Sequence, residues 1–112
     1  MKRCVVIPSY KAAQTLRGVI ESLPREIAEE GMAIMVNDGS PDETGQVADQ
    51  LAAEYPFAIA VHHPRNRGYG GALKTGLKEG LSRGGDVFPI VHSDGQYAPH
   101  MAVELCAPIE SG

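Results

Sequence analysis

The feature that most restricts the fold of this chain is one pattern met four times: a short apolar run, a polar cluster, then a segment of helical character. Residues 3–7, 32–36, 57–61 and 87–91 are the apolar runs, short and rich in β-branched residues, as strands are. A strand with one face in water alternates apolar and polar residues. These runs do not, so each belongs in a sheet covered on both faces.

The intervening segments read as helices. Residues 12–23 set Leu16, Val19, Ile20 and Leu23 at helical spacing before Pro24 stops them. Ser40 and Glu43 form a capping-box pattern with Pro41 at the first helical position, opening a helix through Val47, Leu51 and Ala52. Residues 68–82 repeat leucine at 73, 77 and 81, and Pro99 opens a last apolar segment, 101–109, read as the fourth helix. Four strands alternating with four helices predict right-handed crossovers and a mostly parallel sheet, hence an α/β three-layer sandwich. The 112 residues suffice for one domain, 1–112.

Composition removes several function classes. A formal charge of −4 carries no broad basic footprint for nucleic acid. No apolar run approaches the roughly 18 residues of a membrane span, and 43% hydrophobic with 21% charged residues suits a soluble, cytoplasmic chain. Cys4 and Cys106 have neither CxxC nor metal-ligand spacing, as expected of thiols in a reducing compartment.

In parallel sheets ligands bind beyond the carboxyl ends of the strands, where Ser9 and Tyr10, Asp38, residues 65–67 and residues 92–96 all fall. In HSDGQY, residues 92–97, Asp94 and Gln96 stand two apart directly after an apolar run. Such oxygen ligands suit Mg²⁺ or Mn²⁺ and the phosphates it carries, and His92 would favour Mn²⁺. Asp38 before Gly39 is either a turn residue or, with the cap assigned to Ser40, a carboxylate free to accept from a base or ribose. The glycines of NRGYGGALKTG open a helix, where unpaired N–H groups admit an anion and Arg65, Arg67 and Lys74 supply countercharge. Their other reading is close helix-to-sheet packing. No Lys-Ser or Lys-Thr follows Gly76, Leu73 stands where GxGxxG needs its third glycine, and PSYKAA after the first run has no glycine. These departures argue against a P-loop enzyme and a dinucleotide dehydrogenase. His62 and His63 have no zinc spacing, and His100 reads as solvated.

Together, VVIPSYKAAQTL, VNDGSPDET, NRGYGGALKTG and HSDGQYAP, in this order, resemble the N-terminal half of family 2 glycosyltransferases with the GT-A fold, in particular the dolichyl-phosphate and polyprenyl-phosphate sugar transferases. The resemblance implies transfer of a sugar from a UDP- or GDP-sugar to a polyprenyl phosphate or a glycan, with Mg²⁺ or Mn²⁺ bridging the diphosphate. By matching position, Pro8 and Tyr10 border the base, Val36 and Asp38 contact base or ribose, and Ser93 and Asp94 belong to the nucleotide site. Asp94 holds the metal, assisted by Gln96 and His92. Arg67 and Lys74 are added on electrostatic grounds. Two positions depart from the family pattern: Ala12 stands where an acidic residue is frequent, and His92 takes the first acidic position of the DxD-like motif.

In the family the chain continues into a Gly-Ser-Arg-like motif and the acceptor-side elements. The expectation is therefore a donor-binding half, with the catalytic base unknown, possible membrane association only at the cytoplasmic face, and apolar surface that self-association would cover. Two other readings stand beside it. A sugar-nucleotide transferase would need a glycine-rich basic loop after the first run, and a non-catalytic α/β module would show no nucleotide affinity.

Overall fold

The sheet grows in both directions from its first strand, β1 (Cys4–Ser9). The computed structural model describes residues 2–92 and the backbone of a strand at 103–106. After β1 come α1 (Leu16–Glu21), α2 (Arg25–Glu30), β2 (Met32–Asp38), α3 (Thr44–Glu54), β3 (Ala58–His63), α4 (Gly68–Ser82), β4 (Val87–Ile90) and β5 (Val103–Cys106). The strand order is β3-β2-β1-β4-β5. β2 lies parallel to β1 with Cys4 opposite Met32 and Ser9 opposite Asn37, and β3 parallel to β2 with Asp38 opposite His63. β4 pairs with the other side of β1, Val6 facing Ile90.

This order dictates the layers. The chain first moves outward from β1 to β3, and α4 then returns it across β1 to β4. Right-handed crossovers in opposite directions put their helices on opposite faces. Accordingly Leu16, Val19, Ile20, Ile27, Ala48 and Leu51 from α1, α2 and α3 bury against Val5, Ile7, Ala33 and Met35 on one face. On the other, Ala72 of α4 packs with Cys4, Val6, Ile34, Val36 and Phe88. Each fully buried Val, Ile, Leu or Phe contributes about 1.5–3 kcal/mol. The three-layer α/β sandwich is thus present.

Four expectations are corrected. Part of the 101–109 segment is a strand, not a helix: Val103–Cys106 runs antiparallel to β4, from Val103 opposite Ile90 to Cys106 opposite Val87. A short apolar run cannot by itself distinguish buried helix from strand, and pairing with β4 decides it. A further short helix, α2, starts directly after Pro24, the residue that stops α1.

The third correction concerns α3, which begins at Thr44 rather than Pro41, with no side-chain cap from Glu43. Ser40 Oγ instead accepts the Lys11 N–H at 3.1 Å, and the Ser40 N–H donates to Asn37 Oδ1 at 3.1 Å. The Thr44 N–H donates to Asp42 Oδ1 at 3.0 Å. A contact with the loop after β1 has taken the hydroxyl that the local pattern assigned to the cap. The fourth is the face of α4. Its buried residues are Ala72, Gly76 and Gly80, while Leu73 and Leu77 flank the contact and Leu81 is 37% exposed. Small residues bring the helix axis close to the sheet, where leucines would hold it off.

Candidate functional site

Where β1 and β4 part, one followed by helices on one face and the other preceded by α4 on the opposite face, the fold leaves a crevice at the strands' carboxyl ends. It holds a cavity of about 320 Å³. Pro8, Ser9 and Tyr10 line it from the end of β1, Asp38 from β2, and Asn66, Gly68, Tyr69 and Ala72 from the start of α4 and the loop before it. His92, just past β4, completes the wall. Its ring stacks on Tyr69 with centroids 5.8 Å apart and planes 15° from parallel. Tyr10 and Tyr69 are 45% and 51% exposed, so aromatic faces are open to a ligand.

Asp38 is the buried charge of this cavity, 4% exposed. Its Oδ1 accepts from His63 Nδ1 at 2.8 Å and from the Arg67 backbone N–H at 2.8 Å. Burial pushes the carboxyl up, but the hydrogen bond from His63 and the N–H groups of Arg67 and Gly68 outweigh it and hold the group below the usual carboxylate range. The expectation of an unengaged carboxylate is corrected: both acceptor positions of Oδ1 are taken, so the capacity left for a ligand is on Oδ2. Asn66 Nδ2 donates to the Asp38 carbonyl at 3.2 Å. Gly39, at φ +66, lies so near that a Cβ there would overlap the Arg65–Asn66 peptide.

The start of α4 is likewise less open than its glycines suggest. The Arg67 N–H goes to Asp38, and the Gly68 N–H donates to Asn66 Oδ1 at 3.0 Å. Two of the helix's first donors are therefore satisfied internally. Gly76, by contrast, serves packing, because a Cβ there would run into Val6.

Of the residues singled out in the sequence, the cavity unites Pro8, Tyr10, Asp38 and His92. It does not include Val36, which lies two residues before Asp38 on the same face of β2 and is fully buried in the core beneath α4. Arg67 and Lys74 have exposed side chains and do not line the cavity. Ser93, Asp94, Gln96 and His100 lie outside the described residues.

Residues 4–112 match the sequence profile described as Glycosyl transferase family 2. The chain belongs to this family. It is 33% identical over 99% of its length to an undecaprenyl-phosphate mannosyltransferase of Micrococcus luteus. It is 30% identical over 94% of its length to a UDP-N-acetylglucosamine–dolichyl-phosphate N-acetylglucosaminyltransferase of Methanococcus voltae. It spans 45% and 46% of these relatives' own lengths, under half of each. Among solved structures, a mannosyltransferase from Pyrobaculum calidifontis in complex with GDP-Man and Mn²⁺ superposes with a TM-score of 0.70, at 23% identity, covering 83% of this chain and 27% of that one. The shared architecture is the GT-A type of α/β fold.

For this family 2 chain the expected cation ligands are Asp94, Gln96 and His92. His92 stands at the cavity wall, while among the described residues no three His, Cys, Asp or Glu side chains converge on a metal position. Sequence reading placed Ser9 and residues 65–67 at this edge without a role, and passed over Tyr69 and, above all, His63. The available signal was the pair His62-His63 at a strand end: alternation sends one to each face of the sheet. His62 bonds Asn37 and Asp49 on the α3 side, and His63 bonds Asp38 and Thr75 on the α4 side.

Proposed function

We propose that this chain is the donor-nucleotide-binding part of a glycosyltransferase that moves a sugar from a UDP- or GDP-sugar to a polyprenyl phosphate or a glycan, in the cytoplasm or at a membrane's cytoplasmic face. The observation that carries the reading is the crevice between β1 and β4, where exposed tyrosine rings surround a buried carboxylate held in ionised form. The names of the Micrococcus and Methanococcus relatives support the acceptor class, and those of the Methanococcus relative and the Pyrobaculum complex the two donor classes.

In this reading Pro8 and Tyr10 border the base, and Asp38 Oδ2 accepts from a base N–H or a ribose hydroxyl. Ionised and little hydrated, that oxygen is a stronger acceptor than a solvated one. Tyr69 and His92 form the wall along which the diphosphate lies, and Ser93 and Asp94 are its further contacts by the family resemblance. Asp94 and Gln96 with His92 would hold a divalent cation, Mg²⁺ or Mn²⁺, whose charge would stabilise the nucleoside diphosphate as leaving group. Arg67 and Lys74 act only through the longer-range field, being outside the cavity. The chain's own residues bind and orient the donor.

Calorimetric titration with UDP and with GDP, each with and without Mn²⁺, tests this. One nucleotide should bind with metal enhancement, Asp94→Ala should abolish the enhancement, and Asp38→Asn should weaken binding about 10- to 150-fold. Folded protein that binds neither nucleotide would favour the non-catalytic module.

A further inference from the structure

His63 is buried, and both ring nitrogens are engaged: Nδ1–H donates to Asp38 Oδ1 at 2.8 Å, and Nε2 meets Thr75 Oγ1 at 2.7 Å. Three elements thereby converge on one carboxylate, since Asp38 ends β2, His63 ends β3 directly opposite it, and Thr75 lies in α4. A carboxylate only accepts, so Nδ1 must carry the proton. In the neutral ring Nε2 is then an acceptor, which the Thr75 hydroxyl serves as donor. Asp38 thus sets which nitrogen carries the proton, and the Thr75 hydroxyl, able to donate or accept, holds the other side of the ring.

The arrangement does more than satisfy a buried histidine. Asp38 is buried, and the Arg67 N–H and His63 both donate to the same oxygen. Two donors on Oδ1 hold the carboxylate against rotation and leave Oδ2 as the acceptor offered to the cavity. Next door, His62 is bonded to Asn37 at 3.0 Å and Asp49 at 2.8 Å, and does not line the cavity. It is an adjacent imidazole of comparable bonding and no connection to Asp38.

Resting on the nucleotide reading of the cavity, we propose that His63 is a positioning residue: it fixes the direction of the Asp38 carboxylate for the nucleoside, and Thr75 holds the far side of its ring. Neither touches the ligand. The role is a division of labour within the donor site, in which the nucleoside end depends on His63 and the diphosphate end does not.

The test is titration of the chain with the nucleotide that binds in the presence of Mn²⁺, and with inorganic pyrophosphate and Mn²⁺ as a probe lacking the nucleoside. His63→Leu should weaken nucleotide binding at least about tenfold while moving the pyrophosphate affinity less than about twofold. His63→Asn, whose amide nitrogen stands near the Nδ1 position, should recover most of the loss, and His62→Gln should leave both affinities unchanged. Thr75→Val, a milder change should His63→Leu fail to fold, should weaken nucleotide binding in the same direction and shift the ¹⁵N resonance of His63 Nε2, which loses its partner. Wild-type nucleotide affinity in folded His63→Leu, or in Thr75→Val with the Nε2 resonance shifted, would overturn the positioning role alone. Equal weakening of nucleotide and pyrophosphate would reduce His63 to a structural residue. Failure of the wild type to bind nucleotide would overturn the nucleotide reading itself, and this role with it.

Discussion

The backbone N–H of Ala12 donates to Thr44 Oγ1 at 2.8 Å, joining the buried end of the loop after β1 to the first residue of α3. Thr44 is fully buried, and its hydroxyl in turn donates to Asp42 Oδ1. One side chain therefore ties the Tyr10 wall of the cavity to the scaffold.

Thr44→Val keeps the shape and removes the acceptor. With the Ala12 N–H left buried and unpaired, the substitution should destabilise the chain by about 1–3 kcal/mol. Ser40→Ala loses only the exposed Lys11 contact and should cost less, about 0.5–1 kcal/mol. Urea midpoints of the two variants against wild type measure this. Equal midpoints would mean that the Ala12 N–H finds water in place of Thr44.

The glycines of α4 separate packing from propensity. Helix propensity alone predicts that Gly80→Ala stabilises by about 1 kcal/mol. The added Cβ would stand 2.6 Å from Phe88 Cε1 and 2.7 Å from Cys4 Sγ, and overpacking of this kind costs about 1–3 kcal/mol. The variant should therefore be net destabilised. Gly18→Ala in α1, with nothing within 4 Å of the new carbon, should instead gain about 0.5–1 kcal/mol. Thermal melting of both variants decides the order, and a more stable Gly80→Ala would place α4 farther from the sheet than described.

Acid should act through Asp38. Its folded value lies below the ordinary one, because the bonds from His63 and the backbone N–H groups outweigh the burial that opposes them. The unfolded chain therefore binds the proton more readily. The stability this group contributes is complete above roughly pH 4, the ordinary aspartate value, and is lost as the pH falls through the lower folded value. Urea midpoints of wild type and Asp38→Asn should differ most at neutral pH and converge on acidification. A gap independent of pH would assign the loss to packing rather than to charge.

Cys4 should be inert while the chain is folded. Burial pushes its thiol up to about 12, with Lys2 and Arg83 opposing too weakly to matter, so almost no thiolate exists at pH 8. Iodoacetamide at that pH should leave the Cys4 peptide unmodified in native protein and label it in urea, as read by mass spectrometry. Native labelling at the unfolded rate would mean that the β1 edge of the core opens freely.

Much of the architecture was legible because it rests on local pattern. Apolar runs without alternation require a sheet covered on both faces, helical spacing between them requires crossovers, and the two together put Ser9, Tyr10, Asp38 and His92 at one edge before any contact is known. β1, β2 and β3 do run two residues farther into the polar clusters than their apolar cores suggest, so Asp38 and His63 are strand tips rather than loop residues. That shift is small in sequence and large in chemistry. Register across β2 and β3 sets Asp38 beside His63, and register cannot be read from either run alone.

The remaining differences share that origin. The hydroxyl of Ser40, the face of α4 and the state of residues 103–106 each had two locally reasonable outcomes, and the choice lay with partners distant in the chain: Lys11, the β1–β2 surface and β4. Sequence by itself determined the four parallel strands and where their polar ends gather, because hydrophobic periodicity is a property of neighbours. Only the tertiary structure decided which buried donors and acceptors meet, because a buried polar group takes whichever partner the packed chain brings within about 3 Å.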